Sequence, residues 1–538
     1  MMPECSYRLS CGVRRLAGLT CLCLTVVAVH SEVTAAEKRS NILVIFTDDQ
    51  PYKTLGCYPE SPDWVRTPNI DRLASRGVRF ERAYLGSWCM PSRASLLTGR
   101  LQHGIESMRM EGTYPGSVYD PQQCPFVPME FRRQGYFTAH IGKWHTGVDG
   151  GFGRDWDHQL IWNRPKYPEN AGAYFTGQII EIDGQRQPDT MDGYSTDFYT
   201  ERAVGFIEGA HRPTDKPWLL WLCYGAVHGP TTPAARHQGS YDGRPPAVPG
   251  DIYGPRPGKP AYLARLQAWE AGPDGPPQRI PKKRLPTSFD ANTPGQTLAD
   301  WVEQVNECAR AIDDGVGRLL AALEETGQLE NTLVVFTSDQ GFALGEHGCS
   351  IKLCPYDANI ASPLIMSQPG TVAEGTVIRR PVSGPDITAT LCDYADVTVP
   401  WKLHGRSFRE LLVSSSAGEG YGPPMLLTST GRAYGSATAN VPDTEHIYDH
   451  AGVPWWVMLR AGKYKYIRCL VEGETEEVYD LEADPEELQN LVGLGDAGES
   501  RVSPTLLARL RAAALQELRR TEAPFVSQLP PVKELAGP

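Results

Sequence analysis

Cys89 is followed by Met90-Pro91-Ser92-Arg93, a tail that a cysteine packed for structure does not need. The proline fixes one backbone angle, the serine can cap a helix behind it, and Arg93 sets a permanent cation about one helical turn from the sulfur. A lone thiol would be read as core, because free cysteine is among the most buried residue types. Other reactive side chains lie far away in sequence. Asp48-Asp49 and Asp339-Gln340 each close an apolar run and offer oxygen ligands. That donor set suits one hard divalent cation such as Ca2+ better than zinc, whose sites favour Cys and His. Gly142-Lys143-Trp144-His145, His228 and the stretch Gly345-Glu346-His347-Gly348-Cys349-Ser350-Ile351-Lys352 add two ammonium groups and three imidazoles. Cations and proton-transfer groups of this kind can bind an anion and move protons.

These residues need elements to hold them. Asn41-Ile42-Leu43-Val44-Ile45-Phe46 is a continuous apolar run with β-branched residues, as in a buried parallel strand. It stops at Thr47-Asp48-Asp49. Thr67 to Gly77 reads as a helix with Thr67 as N-cap and Pro68 at its first position, and Val78 to Tyr84 as a strand before the Cys89 turn. Phe137–Ile141 precedes the Lys143 segment, Trp218–Tyr224 precedes His228, and Leu333–Ser338 precedes Asp339, with helical periodicity from Leu298 to Glu325. The reactive residues thus fall just past strand C-termini, where open α/β sheets place ligands. The expected fold class is α/β, with a large, mostly parallel central sheet flanked by helices. Residues 229–295 are rich in Pro and Gly and read as an excursion over the surface. Past Leu412, short runs at Trp455–Arg460, Tyr464–Arg468 and Glu477–Leu481, then a helical Pro504–Arg519, suggest a smaller antiparallel sheet plus helix.

With 52 basic against 64 acidic residues, the net charge of -12 argues against nucleic acid as a partner. Arg14-Arg15, the apolar Leu16–Val29 and the small residues Thr34-Ala35-Ala36 have the layout of a secretory signal peptide, so export to the periplasm or beyond is expected. The apolar run is shorter than the ~20 residues of a spanning helix, and no later stretch looks transmembrane. The expected organisation is a signal peptide at 1–36, a catalytic domain at 37–412, a C-terminal subdomain at 413–525 and a tail at 526–538. Four of the 13 cysteines would leave with the signal, and Cys349 and Cys354 are close enough to bridge or to remain thiols.

The run from Cys89 to Gly99 resembles the signature Cys-x-Pro-Ser-Arg-x-Ser-x-Leu-Thr-Gly of the formylglycine-dependent sulfatases, in the alkaline phosphatase superfamily. The resemblance extends from about Asn41 to beyond Leu491 and implies an alkaline phosphatase-like sheet. It further implies that a dedicated maturation enzyme oxidises Cys89 to Cα-formylglycine, whose hydrate attacks sulfur with one oxygen and expels sulfate with the other. It assigns Asp48, Asp49, Asp339 and Gln340 to a metal that also orients the modified Cys89, although Asn is commoner than Gln at position 340. Gly142-Lys143-Trp144-His145 is similar to the family's Gly-Lys-x-His element; Lys143, His228 and Lys352 would hold the sulfate, with His347 a further substrate contact or a loop residue. Arg93 would hold the hydrate, His145 would act as the base for sulfate elimination, and His228, with Lys352, would protonate the leaving alcohol. The downstream Tyr356–Met366 lacks the family's usual acidic and Arg positions. The implied substrate is an organic sulfate ester, with a sulfated carbohydrate preferred by analogy. The competing readings are a phosphodiester or phosphonate monoester hydrolase of the same superfamily, and a sulfated-glycan binder without catalysis.

Overall fold

The computed structural model describes residues 39–106, 108–109, 118–244, 246–273, 275–280, 297–414, 420–492 and 501–532. The expected signal peptide, part of the excursion and the end of the tail lie outside the described residues.

The apolar run of the N-terminal half becomes strand β1 (Asn41–Asp48). Ile42, Val44 and Phe46 enter one half of the core and Leu43 and Ile45 the other, which is why the run is continuous and does not alternate with polar residues. The sheet around it continues with β2 (Val78–Tyr84), β3 (Phe137–Trp144), β4 (His158–Asn163), β5 (Ile179–Ile182) and β6 (Gln185–Thr190). It is completed by β7 (Trp218–Val227), β8 (Thr332–Ser338), β9 (Ser362–Ser367), β10 (Thr376–Ile378) and β11 (Val382–Ser383). Their spatial order is β10-β2-β9-β8-β1-β7-β3-β4-β5-β6, with β11 also pairing β2. The five strands β8-β1-β7-β3-β4 run parallel and carry the expected reactive ends. Outside them the pairs β8–β9, β9–β2, β4–β5 and β5–β6 are antiparallel.

Helices cover both faces. The Leu298–Glu325 helix starts at a reciprocal capping box between Thr297 and Asp300 and packs with the Ser195–Ile207 helix on one side. The Cys89–Thr98 helix packs against Gly384–Tyr394 on the other. The predicted strand and helix at residues 67–84 form as Pro68–Ser75 and β2. The Thr67 hydroxyl does not cap its helix; it lies 3.0 Å from Asp71 Oδ1 and accepts the Gly56 N–H at 2.8 Å.

The C-terminal region forms an antiparallel meander, β12 (Met425–Ser429), β13 (Trp456–Ala461), β14 (Tyr464–Cys469) and β15 (Glu477–Asp480), with the Pro504–Arg520 helix against it. Strand β12 was not expected from the sequence. Trp456, Met458 and Ile467 belong to the same hydrophobic core as Leu43 and Val334. A buried ionic knot also joins this region to the chain after Lys352. Lys465 Nζ lies 2.8 Å from Asp357 Oδ1 and 2.7 Å from Glu487 Oε1, while Arg82 and Tyr84 also donate to Asp357.

The excursion is more than surface. Tyr241, Ile252, Tyr262, Leu263 and Trp269 are buried, and short apolar anchors of this kind are masked in the sequence by the Pro and Gly between them. Lys259 donates to Tyr479 OH at 2.9 Å and to the Glu487 carbonyl at 2.6 Å, and Trp269 Nε1 donates to the Cys349 carbonyl at 3.0 Å. The segment therefore clasps both the Cys349 loop and the C-terminal sheet.

Candidate active site

Strand register assembles the acidic pole. Thr47 of β1 stands beside Ser338 of β8, so the residues just past each strand meet. The Asp49 N–H donates to Asp339 Oδ1 at 2.9 Å, and the Gln50 N–H to Ser338 Oγ at 3.0 Å, which holds Asp49 in a left-handed turn at φ 56°. Asp48, Asp49, Asp339 and Gln340 are all buried.

Cys89 enters from the opposite side at the first turn of the Cys89–Thr98 helix. Trp88 is the extended N-cap residue, so the helix begins at the cysteine itself. The expectation that Ser92 caps it is corrected: its hydroxyl lies 2.8 Å from the Trp88 carbonyl, one turn back, and 3.1 Å from Gln340 Oε1. A side chain at Gly86 would put its Cβ 2.6 Å from the Ser92 nitrogen, so only glycine lets the strand end come this close to the helix. Gly99 closes the helix in the left-handed conformation at φ 68°.

The sulfur faces the acids. Cys89 Sγ lies 3.4 Å from Asp48 Oδ1 and 3.8 Å from Asp49 Oδ1, and Lys352 Nζ donates to it at 2.9 Å. Arg93, fully buried, donates to Asp48 Oδ2 at 3.0 Å and Asp339 Oδ2 at 3.3 Å. Lys143, from β3, donates to Asp48, and Lys352 to both oxygens of Asp49 at 2.7 and 2.9 Å. Gln340 Nε2 donates to Asp49 and turns its oxygen to Ser92.

Charge sets the protonation of this cluster. Burial alone would raise the Asp48 carboxyl, but Lys143 and Arg93 outweigh it and hold Asp48 well below the usual range. Burial wins at Asp339, and with repulsion from Asp48 pushes it up to about 7. Asp49 is raised by burial despite Lys352. The Cys89 thiol is pushed up by burial and then by Asp48, the opposite of an activated thiolate. Three buried carboxylates, two of them pushed toward protonation chiefly by burial, fit a hard divalent cation. Asp48, Asp49, Cys89 and His228 bring one ligand atom each within 4.8 Å of one another.

The two imidazoles are built differently. His228 follows β7; its Nδ1 donates to the Gly229 carbonyl at 2.7 Å, which leaves Nε2 of the neutral ring to accept from Tyr174 OH at 3.0 Å. The Tyr174 ring stacks on it with centroids 4.0 Å apart. His145 follows β3 and is buried, with Arg164 Nη1 3.2 and 3.3 Å from its two ring nitrogens. Burial, then the Arg164 charge, hold His145 well below the usual range, so it stands neutral.

Of the residues expected at the site, Asp48, Asp49, Cys89, Arg93, Lys143, His228, Asp339, Gln340 and Lys352 form this contact network, and His145 joins through Arg164. His347 is the exception. It is 1% exposed, with Nδ1 2.7 Å from Asp251 Oδ2 and its ring against Tyr356, contacts that anchor the excursion. Burial lowers its imidazole to about 4. Sequence reasoning missed Arg164 and Tyr174. Arg164 follows β4, where only Leu160-Ile161-Trp162 is apolar, a weaker strand-end signal than the others; Tyr174 lies in a loop that offered none. All cysteines among the described residues are free thiols, Cys349 and Cys354 included. No described helix is long and apolar enough to cross a membrane.

Comparison with known proteins gives this geometry a family. The sulfatase family model matches residues 40–397. The chain is 28% identical to an N-acetylglucosamine-6-O-sulfatase of Bacteroides thetaiotaomicron, over 92% of this chain and 88% of that protein. It is 26% identical to a choline-sulfatase of Rhizobium meliloti, over 88% and 86%. A solved structure of a protein in complex with its substrate D-glucosamine-2-N,6-O-disulfate superposes with a TM-score of 0.72 at 24% identity, covering 90% of this chain and 98% of that one. A phosphonate monoester hydrolase from Silicibacter pomeroyi shares the fold at a TM-score of 0.65 and 22% identity, covering 90% and 96%. With a family model spanning most of the chain, the protein belongs to the sulfatase family and is a sulfatase.

Proposed function

We propose that this sulfatase hydrolyses the sulfate ester of a sulfated sugar of the glycosaminoglycan type. The observation that carries the reading is Cys89 at the first turn of its helix, facing a buried acidic trio on one side and Lys352 on the other, in a chain whose curated relatives include a sugar sulfatase. Oxidation of Cys89 to formylglycine by a maturation enzyme would supply the nucleophilic oxygen that this raised-pKa thiol does not. A calcium ion held by Asp48, Asp49, Asp339 and Gln340 would supply positive charge beside it; Gln340 would serve by turning its amide oxygen inward, an exchange of two nearly isosteric groups.

The remaining chemistry belongs to the chain's own groups. Lys143, fully buried, and Lys352, largely buried, bring two ammonium groups to the site, where reduced solvation strengthens their attraction for an anionic ester. Arg93 is locked between Asp48 and Asp339 and fixes their orientation toward Cys89. His145, kept neutral, is suited to take a proton as sulfate leaves. His228 presents Nε2 toward Asp49 at 3.5 Å and to Tyr174; neutral in the free protein, it would take up a proton on Nε2 as the anionic ester binds, and is assigned the delivery of that proton to the leaving alcohol. Export, read from the leader-like residues 1–36, is part of the same proposal.

Mass spectrometry of the Cys89 peptide from an active preparation tests it. Formylglycine at Cys89, with sulfate released from a sulfated glucosamine, is the expected result; an unmodified thiol in fully active protein would falsify the mechanism.

A further inference from the structure

Buried polar atoms are nearly always hydrogen-bonded, so a group of unsatisfied ones beside a reactive centre asks for a ligand. Among the described residues, three such atoms, Trp88 Nε1, Tyr434 OH and His450 Nδ1, find no partner. Trp88 is the residue before Cys89 and 4% exposed, and the His450 ring packs edge-on against it with centroids 4.7 Å apart. Tyr434 is 2% exposed.

The loop that brings Tyr434 in is fixed from the catalytic half. Gln102 Nε2 donates to the carbonyls of Gly431 at 2.9 Å and Ala433 at 3.1 Å, and Ser87 Oγ, next to Trp88, meets Ser429 Oγ at 2.9 Å. Gly431, at φ 59°, lies where a Cβ would stand 3.6 Å from His450 Cβ, so the same turn seats the histidine.

We infer that Trp88, Tyr434 and His450 line a subsite beside Cys89 that receives the neutral hydroxyl groups of the leaving sugar. This rests on the sulfatase reading above and names what the site holds beyond the sulfate. The three groups share one chemistry. An indole N–H only donates; the phenol is pushed well above its usual value by burial and then by the Cys89 sulfur, so it keeps its proton. Burial, then Arg432 and Lys352, lower the His450 imidazole to about 3, so it is uncharged at working pH. Uncharged donors and acceptors satisfy hydroxyls, whereas a uronate carboxylate would call for a buried cation here, and an aryl group would leave all three unsatisfied. Of the two neighbouring cations, Arg432 is exposed and Lys352 is already paired with Asp49.

The test uses full-length matured protein, with glucosamine 6-sulfate and 4-nitrophenyl sulfate as substrates. The ratio of kcat/KM for the sugar ester to that for the aryl ester is expected to fall about tenfold in Tyr434→Phe, which removes one oxygen and keeps the ring, and further in Tyr434→Phe/His450→Phe. Deoxy analogues of the sugar sulfate supply a second measurement: with the hydroxyl that meets Tyr434 removed, Tyr434→Phe costs nothing more. A ratio that stays within twofold of wild type, or equal sensitivity on every deoxy analogue, overturns the subsite. Wild-type hydrolysis of the aryl ester alone overturns the subsite and leaves the sulfatase reading intact, whereas failure on both esters overturns the two together.

Discussion

Replacing Lys465 by Met tests how the C-terminal sheet is held to the catalytic half. Lys465 has no exposed side-chain surface and stands between two buried carboxylates, Asp357 at 2.8 Å and Glu487 at 2.7 Å. Removing one partner of a buried ion pair costs roughly 3–5 kcal/mol, because the other is left unpaired. Asp357 keeps other donors: Arg82 and Tyr84 still reach it at 3.1 and 2.7 Å. Glu487 keeps one neutral donor, the Asp357 N–H at 2.6 Å from Oε2, but no donor is well aimed at its Oε1. Burial, opposed by Lys465 and aided by Asp357, already pushes Glu487 up to about 7, and losing Lys465 must push it higher. A carboxyl whose folded value is raised above its unfolded one favours folding below the unfolded value and loses that advantage as pH rises through the folded value. The penalty in the variant therefore keeps growing above pH 7, by about 1.4 kcal/mol per pH unit until the new value is passed. Urea unfolding of Lys465→Met at pH 6 and pH 8 should show a loss of roughly 1–2 kcal/mol at pH 6 and about 3 kcal/mol or more at pH 8. Glu487→Gln in the same background should restore most of the difference. Equal losses at the two pH values, or a double variant no more stable than the single, would refute the reasoning.

The same geometry sets three further outcomes. His228→Ala should retain far more activity on an activated aryl sulfate than on a sugar sulfate, whereas His145→Ala should slow both and accumulate a covalent sulfo-enzyme visible by intact mass; the reverse pattern exchanges the two roles. Calcium should raise the melting temperature of the wild type by several degrees and that of Asp339→Asn by much less, and identical shifts would remove Asp339 from the ligand set. His140 is buried among Trp144, Trp156 and Trp221 with neither ring nitrogen in a well-formed hydrogen bond, and burial lowers it to about 3. Because its folded value lies below the unfolded 6.5, stability is lost as pH falls from 6.5 toward 3; His140→Phe should flatten that slope by about 1 kcal/mol per pH unit, and an unchanged slope between pH 6 and 4 would disprove it.

The sequence by itself determined the parts whose physics is local. A continuous apolar run that stops at Asp48-Asp49 is a strand buried on both faces with its carboxylates at the end, and β7 and β8 obey the same rule. The Cys89 run carried its own geometry, with Gly99 able to close the helix in the left-handed region and Arg93 one turn along. Its cap was misjudged, because whether Ser92 faces its own N–H groups or the Trp88 carbonyl depends on how closely the strand end at Gly86 presses on the helix. Only the tertiary structure decided which strand ends are neighbours. The order β8-β1-β7-β3-β4 places Lys143 over Asp48 across an intervening strand and carries Arg164, from the end of β4, to His145. His347 read from sequence as a substrate contact or a loop residue, and a carboxylate 96 positions away, Asp251, occupies it. Tyr174, Tyr434 and His450 had no local signal, since a loop residue gains its chemistry from the groups the fold lays beside it. Pairing of strand ends and docking of loops are long-range contacts, fixed by burial and register summed over the whole chain, and no window of neighbouring residues contains them.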